Sequence, residues 1–473
     1  REILARNNGI QEVGQINYLA TAWIQFMIHD WFDHGDNELE NPYSVPLDSD
    51  DPFGTPTMEV GRTRVDPTKN PADGRPDTFQ NLVTAWWDGS QIYGSDQATN
   101  DRVRSFVDGK LKVTENNRLP IDPQKGIDDT GFNKNWWVGL SMFHHLFTLE
   151  HNAIATMLKQ SYPDWDDQRL YDTARLINAA SMAKIHTIEW TPAILKNDIL
   201  KRAMNANWQG SFPTSGKHSG NPILHGFMGS HQNHYSAPYS LTEEFTAVYR
   251  MHPLLRDTVE IRNAQNDQVI GNVSLEDSAF GGATQTMNAY GLANLFYSFG
   301  HTHPGALTVN NYPEFLRNLT LPNGTKVDMA TVDILRDRER GVPRYNEFRR
   351  LINLKPVSDF SDITPDTAVS EKLRELYNND IEALDLFVGS MAEGYRPPWY
   401  GFGETSFQIF IAMASRRLAS DRFFTDSYNA DVYTPEGMAW IKNNGINAML
   451  LRHMPELASA LEGNTNAFFP WDE

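Results

Sequence analysis

Apolar residues return every three to four positions over 16–34, 143–160, 167–195, 241–252, 287–299 and 406–419, which is the period of helices that bury one face. Period-two alternation is short and rare, so few strands are expected. The Pro-, Gly- and Asn-rich runs 41–76 and 210–238 read as long surface excursions, and neither has the low complexity of an interdomain linker. No internal repeat or heptad array is present. Length alone would suggest about three domains. A helical chain wrapped around a cofactor often forms one body instead, and the pattern predicts a mainly α protein: a single large helical domain over 1–473 with few short strands.

Polar residues that interrupt these apolar faces carry the candidate chemistry. In the 241–252 segment Tyr249 lies one helical turn before His252, and Pro253 sets the end of that helix. A metal held by His252 would share its face with a redox-capable phenol; an ordinary amphipathic helix end fits the same residues. Upstream, Gln25 and His29 are four apart on an otherwise apolar face. Buried there, both need partners. A distal haem pocket would supply them, with His29 moving a peroxide proton and Gln25 bonding the bound oxygen; a satisfied core histidine is the plainer alternative. In the loop Thr84-Ala85-Trp86-Trp87-Asp88-Gly89-Ser90, alternate residues can aim hydroxyl, carbonyl and carboxylate oxygens at one point, as hard cations such as calcium require. Asp30 could complete that cage, and a Gly-Ser turn is the alternative.

Composition narrows the function classes. The net charge of −19 argues against a nucleic-acid partner and against simple electrostatic attachment to anionic lipid. With 0 cysteines there are no disulfides, iron–sulfur clusters, thiolate haem ligands or thiol nucleophiles, so a haem axial ligand must be His, Met or Tyr. No apolar run reaches the length of a transmembrane span and the first residues lack a signal-peptide layout. A soluble, cytoplasmic protein, peripheral at lipid surfaces at most, is the expectation.

Three runs then carry a family resemblance: Gln25-x-x-x-His29-Asp30, Tyr249-Arg250-Met251-His252-Pro253-Leu254-Leu255, and Arg338-Glu339-Arg340-Gly341-Val342-Pro343-Arg344-Tyr345-Asn346-Glu347-Phe348-Arg349. Together they resemble the animal-type haem peroxidase and cyclooxygenase superfamily. Trp86-Trp87-Asp88-Gly89-Ser90-Gln91-Ile92-Tyr93-Gly94-Ser95, Ala183-Lys184-Ile185-His186-Thr187-Ile188-Glu189-Trp190-Thr191 and Met413-Ala414-Ser415-Arg416-Arg417-Leu418 are similar to the fatty-acid alpha-dioxygenases within it.

The resemblance implies non-covalent haem b with His252 as proximal ligand, His29 and Gln25 on the distal side, and Asp333 at the place where peroxidases have an asparagine behind the ligand. It implies calcium held by Asp30, Thr84, Trp86, Asp88 and Ser90. Phe132 falls near the position of the peroxidase distal arginine, and Ile28 and Asn135 near those of the carboxylates that tether haem in mammalian peroxidases. General peroxidase activity is therefore expected to be poor. His186, Thr191 and Arg417 match the family's carboxylate-binding residues, with the adjacent Arg416 leaving the choice of arginine open. The activity so implied is a dioxygenase that uses peroxide for activation, forms a radical on Tyr249 and inserts molecular oxygen at C2 of a fatty acid, giving the 2-hydroperoxy acid. The alternatives are a peroxidase oxidising small phenols or halides, and a non-catalytic haem or lipid carrier.

Overall fold

The computed structural model describes residues 1–70, 72, 74–209, 241–321 and 324–471. It is mainly helical, and its strands form two-stranded antiparallel hairpins: Glu38–Pro46 with Thr57–Arg62, Thr258–Arg262 with Val269–Ser274, and Leu319–Thr320 with Lys326–Val327. The run expected as a surface excursion over 41–76 thus contributes most of the first hairpin. The excursion expected over 210–238 lies outside the described residues.

The central element is the helix Leu19–Trp31, buried along nearly its whole length, which is why its apolar run is close to continuous. It packs on Val138–Ser161, the longest helix, which in turn lies against Asp167–Ile185. Aromatic rings fill the seam: Trp23 meets Phe143 edge-on at 5.5 Å, and Phe26 stacks on Phe147 at 5.3 Å. Two charged groups inside this body have full sets of partners. The Glu150 carboxylate accepts from Trp440 Nε1, Asn444 Nδ2, Arg452 NH1 and His453 Nε2 at 2.6–2.9 Å. Lys184 Nζ donates to the carbonyls of Ile441, Lys442 and Asn444 at the end of the helix Pro435–Asn443.

Three expected helices are interrupted, each for a local reason. The 167–195 helix is α only to Ile185, continues as a π-turn over His186–Trp190, and resumes as Thr191–Ile194. Pro192 has no N–H to donate, and the Thr191 hydroxyl donates to the His186 carbonyl at 2.8 Å. The 241–252 helix starts at Glu243, capped by the Thr242 hydroxyl, but ends at Val248. His252–Leu254 is a separate 3₁₀ turn, so Tyr249 and His252 do not share the face of one continuous helix as the spacing suggested. The 287–299 helix is broken at Gly291, whose φ of 78° suits glycine, into Gly281–Tyr290 and Leu292–His301. Among the described residues, no helix is long and apolar enough to cross a membrane.

Candidate active site

His252 sits at the start of its 3₁₀ turn with its side chain 30% exposed, the opening a ligand would need. Its Nδ1–H donates to Asp333 Oδ2 at 2.8 Å, so the Nε2 lone pair is the ring's free coordinating position. Asp333 is fully buried on the helix Met329–Glu339 and also accepts from Arg250 NH1 and the Tyr312 hydroxyl, each at 2.8 Å. Burial would raise its pKa, but His252 and Arg250 outweigh burial and hold it below the usual carboxylate range. A permanent carboxylate behind a histidine with a free Nε2 is the donor set a haem iron takes.

On the Leu19–Trp31 helix His29 is buried and its Nδ1 has no hydrogen-bond partner. Burial, with Lys134 adding to it, pushes the imidazole down to about 3, so it is neutral at pH 7 and able to accept a proton. The Phe132 ring packs on His29 with centroids 4.5 Å apart, which puts an apolar side chain where peroxidases are expected to carry a cation. Gln25 is committed elsewhere: its Oε1 accepts from Trp137 Nε1 at 2.8 Å and its Nε2 donates to the Asn135 carbonyl at 3.2 Å. Those bonds leave its role toward a bound oxygen weaker than the spacing suggested.

The residue after His29 ties the helix to the predicted cation loop. Asp30 Oδ1 accepts from Ser90 N at 2.6 Å, while Ser90 Oγ donates to Asp30 O at 3.1 Å. Thr84 Oγ1 donates to Asp88 Oδ2 at 3.0 Å, and Ser90 N also reaches Asp88 Oδ1 at 3.1 Å. Burial and the neighbouring Asp88 carboxylate raise the Asp30 pKa well above normal, which marks a buried carboxyl beside a half-exposed one. Arg175 approaches from the side, its Nε donating to the Asp88 carbonyl at 3.1 Å, but its NH2 remains 3.9 Å from Asp88 Oδ2. The donors fit calcium: hard oxygens, two of them carboxylates, on a loop and an adjoining helix. Trp86, expected to offer its carbonyl, lines a cavity of about 570 Å³ together with Trp87, Asp88, Leu176 and Ala179.

Of the three expected headgroup residues, His186 and Arg417 pack on Trp31, as Tyr249 does, and Thr191 follows His186 by about one turn. Arg417, fully buried on the helix Glu404–Ser420, stacks its guanidinium over Trp31 at 4.2 Å and Trp87 at 4.8 Å, and its Nε donates to Ala85 O at 2.8 Å. Arg416 is exposed on the same helix, so of the two arginines it is Arg417 that lies inside the protein. The His186 ring lies 5.2 Å from Trp31 and 5.4 Å from Trp87. Its Nδ1 accepts from Trp23 Nε1 at 3.2 Å; an indole can only donate, so the neutral ring carries its proton on Nε2, which is buried and has no partner. Burial and then the charge of Arg417 push its pKa well down and keep it neutral. Thr191 spends its hydroxyl hydrogen on the His186 carbonyl, leaving its oxygen lone pairs rather than its O–H toward other groups. The Tyr249 ring stacks on Phe410 at 5.5 Å and meets Trp31 edge-on at 6.0 Å, while its buried hydroxyl has no partner. Burial pushes the phenol pKa up, with Arg417 opposing, so the O–H is intact at neutral pH.

Sequence reasoning missed the tryptophans and the brace. Trp31 and Trp87, edge-on to each other at 4.7 Å, both pack against Arg417, and their own Nε1 atoms are buried without partners. Trp23 sets the His186 tautomer, and Arg250 with Tyr312 fixes Asp333. A tryptophan on an apolar helix face looks like core until its N–H is traced. For Arg417 a signal existed: Phe410, Met413 and Arg417 fall at i, i+3 and i+7 on the buried face, whereas Arg416 does not.

A sequence model of the animal haem peroxidase family matches residues 1–468. The chain is 39% identical over 490 residues to the alpha-dioxygenase PIOX of Oryza sativa subsp. japonica, a match covering 100% of this chain and 79% of that protein. It is 40% identical over 499 residues to alpha-dioxygenase 1 of Arabidopsis thaliana, covering 100% of this chain and 76% of the relative. Its fold superposes with a TM-score of 0.91, at 37% identity, on the crystal structure of a variant of the Oryza sativa fatty acid alpha-dioxygenase with palmitic acid, over 100% of this chain and 80% of that one.

Proposed function

The chain belongs to the animal haem peroxidase family as one of its fatty-acid alpha-dioxygenases, and from that premise we propose that it inserts dioxygen at C2 of a fatty acid through a radical on Tyr249, giving the 2-hydroperoxy acid. The observation that carries this reading is a set of buried hydrogen-bond donors without acceptors, Tyr249 O–H and His186 Nε2–H, beside the buried guanidinium of Arg417. Unpaired buried donors are costly, and an anionic, acceptor-only headgroup relieves the cost.

In this mechanism Arg417 and His186 bind the carboxylate, which sets C2 within reach of Tyr249. The hydrocarbon chain extends along the Asp167–Ile185 helix into the cavity lined by Trp87, Leu176 and Ala179, the last of these two turns before His186. Haem would be held by His252, with Asp333 behind it, and would supply the oxidising power that Tyr249 needs. His29, neutral and buried, moves the peroxide proton, and Phe132 beside it adds no charge to help the leaving hydroxide, which keeps general peroxidase turnover low. As a phenoxyl radical, Tyr249 takes a hydrogen atom from C2. Dioxygen adds to the carbon radical, and Tyr249 returns the hydrogen atom to the peroxyl group and is a radical again for the next substrate.

Haem loading tests the two histidine roles. His252→Ala is expected to lose most bound haem or to shift its spectrum strongly, because His252 is the one protein ligand proposed for the iron. His29→Ala is expected to keep the haem and to slow activation by peroxide. Equal loss of haem in both variants would overturn the assignment.

Calcium would be held by Asp30, Asp88, Thr84, Ser90 and the Trp86 carbonyl, and would fasten the loop to the helix that presents His29. Elemental analysis is expected to find about one calcium per chain in the purified protein and substoichiometric calcium in Asp88→Ala, with lower haem occupancy as a secondary effect. Absence of calcium from the wild-type protein would remove the site.

A further inference from the structure

The loop between Leu386–Ala392 and Glu404–Ser420 holds two aromatic side chains out in solvent: Tyr395 and Trp399 are each 62% exposed. Trp399 does so at a φ of 65°, a left-handed backbone that bulky residues rarely adopt and that persists where surrounding structure imposes it. Here the imposing bonds are visible. Arg396 donates to the carbonyls of Glu393, Gly401, Leu307 and Met391, and the chain on either side pairs with the turn after Thr191: Lys196 N to Trp399 O at 3.1 Å, and Gly401 N to Ile194 O at 2.8 Å. That pairing brings the start of the helix Asp198–Gln209 beside the loop, where Ile199 is 78% exposed. Lys196 Nζ lies 5.7 Å over the Trp399 ring, and Arg202, three positions after Ile199, follows on the same outward face.

We infer that Ile199, Tyr395 and Trp399, flanked by Lys196 and Arg202, form a surface that seats the protein on a zwitterionic phospholipid layer. Size argues for lipid over protein. Side chains of about 150–250 Å² each, exposed to these extents, present roughly 400 Å² of apolar surface, about half of what one partner buries in a standard protein interface. The chemistry suits an interface of hydrocarbon and headgroups, with an indole and a phenol at headgroup depth, an aliphatic side chain beyond, and two cations for phosphate. A chain of net charge −19 with Asp198 beside the patch would be repelled by an anionic surface as a whole, which selects the zwitterionic one. The loop also links the patch to the candidate site. Its loop runs into Phe402, whose ring is 5.1 Å from Phe410, the ring that stacks on Tyr249. The inference rests in part on the fatty-acid reading of that site, since a substrate dissolved in lipid is met at the lipid surface.

The test is flotation of the full protein with phosphatidylcholine vesicles, comparing wild type with the triple variant Ile199→Ser, Tyr395→Ser, Trp399→Gly. Glycine suits the left-handed backbone at 399, so the variant is expected to keep its melting temperature. Its partition onto vesicles is expected to fall at least tenfold, with oxygen uptake on a dispersed medium-chain acid unchanged. Equal flotation of the two proteins overturns the proposal. So does an oligomer without lipid that the triple variant dissociates, because the surface then belongs to a second copy of the chain. Loss of flotation in a protein that consumes no oxygen with any fatty acid keeps the lipid surface and overturns the substrate reading instead.

Discussion

With Tyr249 replaced by phenylalanine, oxygen uptake on addition of a fatty acid is expected to disappear while the haem spectrum and any slow peroxidase turnover remain. The substitution is unusually clean in this structure. The phenyl ring keeps its packing on Phe245 at 4.3 Å and Phe410 at 5.5 Å, and the hydroxyl it removes is buried without a hydrogen-bond partner. Removing an unsatisfied polar atom costs no bond and relieves desolvation, so the melting temperature should hold or rise. Loss of activity then reports on the missing O–H, since a phenylalanine has no hydrogen atom to give up and take back.

Arg417→Ala is expected to have the second largest effect, and on substrate use rather than on radical formation. A carboxylate that loses its charged partner in a buried site is destabilised by roughly 3–5 kcal/mol, on the order of 10²–10⁴-fold in kcat/KM for the free acid. Arg417 also packs against the rings of Trp31 and Trp87, so part of any loss is structural. A neutral amide of the same acid separates the two. If carboxylate recognition is the cause, the amide loses much less than the acid between wild type and variant; equal losses would assign Arg417 to packing alone.

The sequence carried the mainly helical architecture because most of its helices bury one clear face, and His29 was legible as a polar residue on such a face, whereas the roles of His252, on a separate 3₁₀ turn, and of Arg417 came through family resemblance. What stayed hidden depends on bonds between distant segments. Pro192 ends α geometry several residues before itself, so the π-turn that aims His186 inward could not be read from periodicity. Gly291 sits in a run whose apolar spacing continues across it, yet only the backbone shows the left-handed break. The pairing of Asp333 with His252 crosses 81 positions and came through family resemblance; its further bonds to Arg250 and Tyr312 had no sequence signal. Gln25 shows the converse, a residue well placed by spacing whose amide is taken up by Trp137 and Asn135.

The most direct measurement is oxygen consumption by the haem-loaded, peroxide-activated enzyme with a fully saturated straight-chain fatty acid, with the product's position of oxygenation read by mass spectrometry. A saturated chain has no weak allylic hydrogen, so uptake requires abstraction beside the carboxylate. One oxygen molecule consumed per acid, with the hydroperoxide at C2, is the result expected of Tyr249 acting on a headgroup held by His186 and Arg417. No uptake with the saturated acid, in a preparation that still oxidises a small phenol with peroxide, would contradict it and make the protein a peroxidase.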